Sequence, residues 1–474
     1  MRKLRIGFVP MFHGNARGDH ETKKRILAEL EAYRQGRDFD IVEASEIVYG
    51  YDSAARVSKE MKEKKLDFLF LCSFGATIGN CAIPFGTMDC PIGIWAMPEC
   101  SAAGFLPMNA FCGSMILSGM LGKYFTEKNI KFKWFYGYTD NPLFRDRFEV
   151  TLKVLRAIAA LEETRIAAIG PVVDGFDYMV VNEGTIEARY GAHIDRLHTV
   201  EEMIRRAEGV EAAKVKTEVE QILTEGVCTS HVSAQAMERF ARLYLAFKEF
   251  AEENHYQVLS ISCWRTLQEV YGMVPCGAVS RLNDYGIISS CEGDIDGAIG
   301  MIVDKAFNGG TPASMVDLVS VDEQDQSLNI WHCGPAPKCM ADPKGILWDH
   351  HFNMGEYRDH KWCGCGVVAD LQFKPGEITL NRISSNANEM TVFTGEIFDK
   401  ETYQGSSGWV RNFKMQGEDL SIPELLSTIY NYRVDHHMSF GYGNNEEAFI
   451  EFANWKGIKV AKKSGYHNYM ELRK

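Results

Sequence analysis

The sequence predicts an α/β chain: two parallel-sheet domains followed by a β-rich, antiparallel, barrel-like domain. Three observations predict it. Apolar strand-like runs alternate with helical stretches through the first part of the chain. The same alternation resumes near Thr164. From about Ser314 the hydrophobic period changes to two, and turn residues separate short strands.

Leu4–Pro10 is an apolar strand, and His20–Gln35 has helical periodicity. Phe39–Glu43 is a strand, Ser53–Lys65 a charged helix, and Asp67–Cys72 a third strand ending at the turn Ser73-Phe74-Gly75. Pro91–Ala96 continues the series. Such sheets bind ligands at the carboxyl ends of their strands, so the loops His13–Asp19 and Ser73–Asn80 are candidate ligand-facing segments. A second unit starts at Thr164–Gly170, includes the helix Ser233–Glu253 and the strand Gln257–Cys263, and ends with the turn Ser289-Ser290-Cys291-Glu292-Gly293-Asp294 and a helix. The third part reads as strands at Leu328–His332, Gly366–Leu371, Glu377–Ile383 and Glu389–Gly395, with a hairpin turn at Pro375-Gly376-Glu377. A helical tail follows, Ile422–Tyr430 and Glu446–Trp455. The expected domains are 1–163, 164–312 and 313–474. The first two are Rossmann-like (flavodoxin-like) and the third is β-rich.

Composition narrows the function. The chain has 474 residues, 46% hydrophobic and 24% charged, as in ordinary globular proteins. A formal net charge of −13 argues against a nucleic-acid binder and against adsorption on an anionic membrane. The first apolar run is too short for a signal-peptide core, and no run of 18 apolar residues exists, so a cytoplasmic protein is expected. Thirteen scattered cysteines read mostly as small buried hydrophobes in a reducing compartment. Cys363-Gly364-Cys365 lacks the second pair that a zinc-thiolate site needs.

Four polar positions line up in chain order. Glu292 lies at a strand end, Asp317 inside the apolar run Ser314–Leu318, His332 in Ile330–Pro335, and His436-His437 in Arg433–Gly441. Carboxylates and imidazoles together suit a divalent ion such as Mn²⁺, Mg²⁺, Co²⁺ or Zn²⁺, with Mn²⁺ the leading expectation. A carboxylate beside such an ion can also move a proton next to a carbonyl. Spacing leaves other readings open: Glu292 as a helix N-terminal carboxylate, a capping role that Asp294 and Asp296 fit better, His332 as a satisfied core histidine, His436-His437 as a solvated loop.

The ordered set Glu292-Gly293-Asp294, Asp317 twenty-five residues on, Trp331-His332-Cys333 and His436-His437-Met438-Ser439-Phe440 resembles the L-fucose isomerase / L-arabinose isomerase superfamily. The motif matches lie in residues 285–340 and 430–460. The chain carries Asp317 where arabinose isomerases have Glu, yet has their EGD turn and His-His pair. It resembles a divergent fucose-isomerase-like member. The resemblance implies that Glu292 and Asp317 ligate the metal and form the acid/base pair, that His437 ligates, and that His332 is a further ligand. His436 and Asp435 would support the site or touch substrate. It also implies a homotrimer or homohexamer in which a neighbouring subunit closes the site. In that arrangement Arg17 and Asn15 of the first loop would reach the sugar, and Trp95 would wall it.

The implied activity is metal-dependent aldose–ketose isomerisation through a cis-enediol, on an L-fucose- or arabinose-type sugar. A C6-modified sugar such as sulfoquinovose is the alternative substrate, with Arg17 and Arg265 as candidate partners of a sulfonate. Two rivals stand beside it: a non-catalytic sugar-binding or regulatory protein without a metal, and a lyase or aldolase that uses the same enediolate.

Overall fold

Buried apolar runs build the first sheet. In β1 (Leu4–Met11) all residues but one are buried, and β3 (Phe68–Ser73) and β4 (Ile92–Ala96) are buried throughout. That is the mark of parallel strands covered on both faces. With β2 (Phe39–Glu43) and β5 (Phe132–Tyr136) they form a parallel sheet in the order β2-β1-β3-β4-β5, the flavodoxin-like order. The connecting helices are α1 (Asp19–Arg34), α2 (Tyr51–Glu63) and α3 (Ala110–Tyr124), and α4 (Pro142–Glu162) follows β5. The computed structural model describes residues 2–12, 19–351, 355–358 and 361–465. These form two compact units, 1–159 and 160–474. Arg17 and Asn15 lie outside the described residues.

Trp95 is a correction to the sequence reading. It is wholly buried in the first unit, 4.4 Å from the ring of Phe144, and its Nε1–H donates to the Gly137 carbonyl at 2.8 Å. With no accessible face it is a core residue and not a sugar wall.

The second unit opens with β6 (Arg165–Ile169), α5 (Glu183–Tyr190), β7 (His193–His198), α6 (Val200–Gly209), α7 (Ala212–Glu225), β8 (Val227–Cys228) and α8 (Ala234–Asn254). β9 (Val258–Ile261), α9 (Cys276–Tyr285), β10 (Ile288–Ser290) and α10 (Ile295–Phe307) follow. β10-β9-β6-β7 is a second parallel sheet. Asp174, Trp264 and Glu292 all lie just past the carboxyl ends of its strands.

The remainder is β-rich: β11 (Ser314–Asp322), β12 (Ser327–His332), β13 (Leu347–Asp349), β14 (Gly355–Arg358), β15 (Lys361–Gly364), β16 (Val368–Gln372), β17 (Gly376–Ser384), β18 (Glu389–Phe398), β19 (Ser406–Met415), β20 (Glu418–Asp419), α11 (Ile422–Asn431), β21 (His437–Tyr442), α12 (Glu446–Lys456) and β22 (Lys459–Val460). Six of these strands close on themselves. β11 pairs β12, β12 pairs β19, β19 pairs β18, β18 pairs β17, β17 pairs β21 and β21 pairs β11, all antiparallel. Closure removes the exposed edges that an open sheet would present. The sheet extends past the ring through β16, β13 and β8, so it is mixed and not purely antiparallel. The 312/313 boundary expected from sequence falls inside the second unit, between α10 and β11.

Two local expectations are corrected. The tail is not helical throughout, because β21 lies between its two helices and completes the ring. Pro375-Gly376 does not turn a hairpin, since β16 pairs β13 and β19 while β17 pairs β18 and β21.

α10 lies against the ring at a glycine. A Cβ on Gly300 would overlap Ser439 Oγ and sit 2.7 Å from Asn381 Oδ1. Asp304, one turn further, accepts from Asn381 Nδ2 at 2.7 Å. This close approach brings the start of α10, and with it Glu292 and Asp294, to the first residue of β21, His437.

Candidate metal centre

The strand register places two of the groups. Asp317 on β11 lies directly opposite His437 on β21. Residues opposed in this way present neighbouring side chains. His437 Nε2 is 3.8 Å from Asp317 Oδ1 and 3.6 Å from Glu292 Oε2. His332, at the end of β12, stacks on His437 with ring centroids 5.3 Å apart. The structure thus brings together Glu292, Asp317, His332 and His437, and both Glu292–His436–His437 and Asp317–His332–His437 are spaced to hold an ion.

Glu292 and His437 are held by distinct supports. Glu292 adopts φ +59°, a left-handed conformation that costs a branched-off side chain of order 1–3 kcal/mol and that clusters at functional sites. Its amide donates to Cys263 Sγ at 3.4 Å, and its Oε1 accepts from Trp264 Nε1 at 3.3 Å. Oε2 is 3.1 Å from His436 Nε2, and His436 Nδ1 is 2.6 Å from the Tyr178 hydroxyl. The His436 ring lies against Phe176, 4.9 Å between centroids. Burial raises the Glu292 carboxyl, but His436, His437 and His332 outweigh it, and the net effect holds Glu292 below the usual range.

His437 is aimed by Asp294. Its Nδ1 is 2.9 Å from Asp294 Oδ2, which places the ring proton there and leaves an Nε2 lone pair facing Glu292 and Asp317. Asp294 is wholly buried and caps α10 by accepting from Gly297 N at 2.9 Å. Its Oδ2 also binds Arg382 Nη1 at 2.5 Å. Burial alone would raise Asp294, yet Arg382 and His437 hold it far below the carboxylate range. Arg382, itself buried on β17, is held in turn by Asp435, 2.9 Å from Nε. A carboxylate that orients a ligating imidazole is the usual outer support of a metal site.

Sequence reasoning missed Arg382, Trp264, Tyr178 and Phe176, and took Asp294 and Asp296 for helix caps. Asp294 does cap, but its larger role is to anchor His437. Asp296 does not cap: it is buried, and its oxygens accept from the Ser385 amide at 2.8 Å and the Ser385 hydroxyl at 2.5 Å. An arginine inside the strand pattern of Glu377–Ile383 was the available signal for Arg382.

The donor set fits a divalent cation. Asp317 Oδ1 and His332 Nε2 are buried and have no hydrogen-bond partner among the described residues. Such atoms are costly unless something else meets them. Burial disfavours the imidazolium of His332, yet Asp317, the Cys333 thiol and Glu292 push its pKa up to about 10. That is the signature of uncompensated negative charge at this point.

No protein-family model matches the chain. Curated relatives do match. The chain is similar to proteins named sulfoquinovose isomerase. The one from Priestia aryabhattai is 23% identical over 467 residues, 97% of this chain and 99% of the relative. The one from Alkalicoccus urumqiensis is 25% identical over 312 residues, 65% and 67% of the two chains. A third, from Clostridium sp. (strain MSTE9), is 25% identical over 256 residues, 53% and 56%. The similarity supports an enzyme of the aldose–ketose isomerase class. Among the described residues no helix is long and apolar enough to cross a membrane.

Proposed function

We propose that this chain is a divalent-metal-dependent aldose–ketose isomerase that converts sulfoquinovose to sulfofructose. One observation carries the chemistry: two carboxylates and an aimed imidazole meet at one point, with buried acceptor and ring atoms left unpaired there. The name shared by the relatives supports moving the substrate from the neutral L-fucose- or arabinose-type sugars of the sequence reading to a sulfonated aldose.

Glu292, Asp317 and His437 would hold the ion, Mn²⁺ first among the candidates. When bound, the ion supplies Lewis-acid charge against the oxygens of an open-chain sugar. One of the two carboxylates takes the proton from C2 of the aldose while O1 gains a proton, which gives a cis-enediol. O2 then gives up its proton as one is returned at C1, and the carbonyl ends at C2. His332 differs from His437 in tautomer. A cation beside Asp317 and Glu292 would offset the negative charge that raises His332 and leave its ring neutral; Nδ1 accepts from the Cys333 amide at 2.8 Å, so the proton lies on Nε2, which would donate towards a sugar oxygen. Arg265 is the candidate sulfonate partner. It adopts φ +70°, lies 5.4 Å over the Trp264 ring, and is held at 3.2 Å by the exposed Asp174. Trp264 in turn donates to Glu292, so the guanidinium stands one side chain away from the reacting carboxylate.

The test is to strip the protein with a chelator and add back Mn²⁺, Mg²⁺, Co²⁺ or Zn²⁺ separately. Ketose formation is then followed from sulfoquinovose, L-fucose, both arabinoses and D-glucose. Metal-dependent turnover of sulfoquinovose is expected, with Glu292→Gln reducing kcat by about 10²–10⁴-fold. Turnover of a neutral sugar alone would overturn the substrate, and no turnover with any metal would overturn the reaction.

A further inference from the structure

Away from Glu292, two imidazoles and a buried carboxylate converge where two strands end. β8 and β13 run parallel, with Leu347 opposite Val227 and Trp348 opposite Cys228. The pairing continues one residue on, as Thr229 N donates to the Trp348 carbonyl at 3.0 Å. A turn closed by Val232 N on the Thr229 carbonyl then brings His231 beside Asp349 and His350.

Four groups crowd a single oxygen there. Asp349 Oδ1 lies 2.6 Å from the Thr229 hydroxyl, 2.8 Å from the His350 amide, 3.0 Å from His231 Nδ1 and 3.0 Å from His350 Nδ1. A carboxylate oxygen offers two lone pairs. Two lone pairs cannot accept from four donors at once. The two imidazole contacts, the longer pair at 3.0 Å, are therefore poorly accounted for as hydrogen bonds. As unprotonated nitrogens they would press lone pairs against a negative oxygen. A cation resolves the conflict, because three lone-pair donors then point at one centre. The 3.0 Å spacings approach the edge of a tetrahedron with ligands at 2.0–2.1 Å, about 3.3 Å.

The surroundings are also those of a metal site. Asp349 Oδ2 accepts from Gln404 Nε2 at 2.7 Å, which fixes the carboxylate plane. The Asp349 side chain is 8% exposed and that of His231 60%, so the carboxylate is held from within while solvent reaches the nitrogens. The two imidazole rings stand nearly perpendicular, 4.9 Å apart.

We propose that His231, Asp349 and His350 form a second divalent-metal site, whose two nitrogens and one carboxylate oxygen suit Zn²⁺ or a neighbouring transition ion, with water completing the shell. The ion ties the segment after β8 to the segment after β13, 118 residues away in sequence. The proposal shares no ligand with the Glu292 centre.

The test counts bound zinc. The full chain is stripped with a chelator, equilibrated with Zn²⁺, freed of excess and analysed for metal per chain. His231→Ala and His350→Ala are measured beside it, with circular dichroism to show that each is folded. His231 is exposed enough for the first substitution to leave the fold intact. Each variant is expected to bind one zinc fewer than the parent. If the parent binds two and the variants one, both sites exist. If the parent binds one and the variants none, the second site stands and the Glu292 centre does not hold zinc. Equal zinc in parent and folded variants overturns the proposal, as does a parent that binds none.

Discussion

His437 can offer an ion only the nitrogen its neighbours leave free, and a single oxygen of Asp294 decides which. That oxygen takes the Nδ1 proton at 2.9 Å and also takes Arg382 at 2.5 Å. Asp294→Asn removes the charge that both partners need. Losing one member of a buried ion pair costs about 3–5 kcal/mol, and losing the outer support of a ligand weakens metal binding about 10–100-fold. Both effects are expected, read by urea unfolding and by calorimetric titration with Mn²⁺; unchanged Mn²⁺ affinity in a folded variant would show that Asp294 does not aim the ligand. Arg265 is separable from this machinery, because its side chain is 57% exposed and its ion-pair partner Asp174 81% exposed. Arg265→Ala is therefore expected to raise KM for sulfoquinovose at least tenfold and to leave thermal stability unaltered. A KM that does not move would place the sulfonate elsewhere. The side chains that converge at the site were legible in the sequence because Glu292, Asp317, His332 and His437 are chemically conspicuous in their runs. Their supports were not. Arg382 and Tyr178 become neighbours of the site only through contacts that span more than fifty residues.

The first turn of α10 carries two carboxylates with opposite fates. Asp294 is held ionised by a cation, whereas Asp296 is buried against Ser385, and its pKa is pushed up to about 6 by that burial, with Arg382 and Ser385 opposing. The unfolded value is near 3.9. Between those two values the native state keeps a proton that the unfolded chain has lost, so this group's contribution to stability is greatest below about pH 4. It declines as the pH rises to about 6, by on the order of 3 kcal/mol. Asp296→Asn removes that titration. The stability of the variant relative to the parent is expected to improve between pH 4.5 and pH 7, measured by urea unfolding at both. A difference that does not change with pH would mean that Asp296 ionises in the native state as it does in water. Elements of this kind divide cleanly into those that sequence shows and those it hides. The Leu4–Ala96 series, the helix after Ser233 and the strands at 377–383 and 389–395 were visible because each buries a continuous or alternating face of its own. β19 and β21 were missed. Each mixes small, polar and apolar residues, Ser406–Met415 and His437–Tyr442, and takes its place only from partners far along the chain.

At the scale of the chain, the ring explains why one ion should matter to the whole second unit. Glu292 follows the parallel sheet, while Asp317 and His437 lie on neighbouring strands of the closed antiparallel ring. A cation shared by these three would tie a loop of one sheet to two strands of another, and nothing in the unfolded chain offers the same geometry. Binding only the native state stabilises it by RT ln(1 + [M]/Kd), about 2.7 kcal/mol when the ion stands at a hundred times its Kd. For a unit of this size each kcal/mol moves Tm by roughly 1.5 °C. Mn²⁺ added to the stripped protein at that excess is therefore expected to raise Tm by about 4 °C, and Glu292→Gln to lose most of the rise. His231→Ala should keep it, since that substitution touches neither the ring nor the loop after β10. A Tm indifferent to every divalent ion, in a protein that still turns over sugar, would mean that the carboxylates work without a metal and that the unpaired atoms of Asp317 and His332 are met by substrate alone.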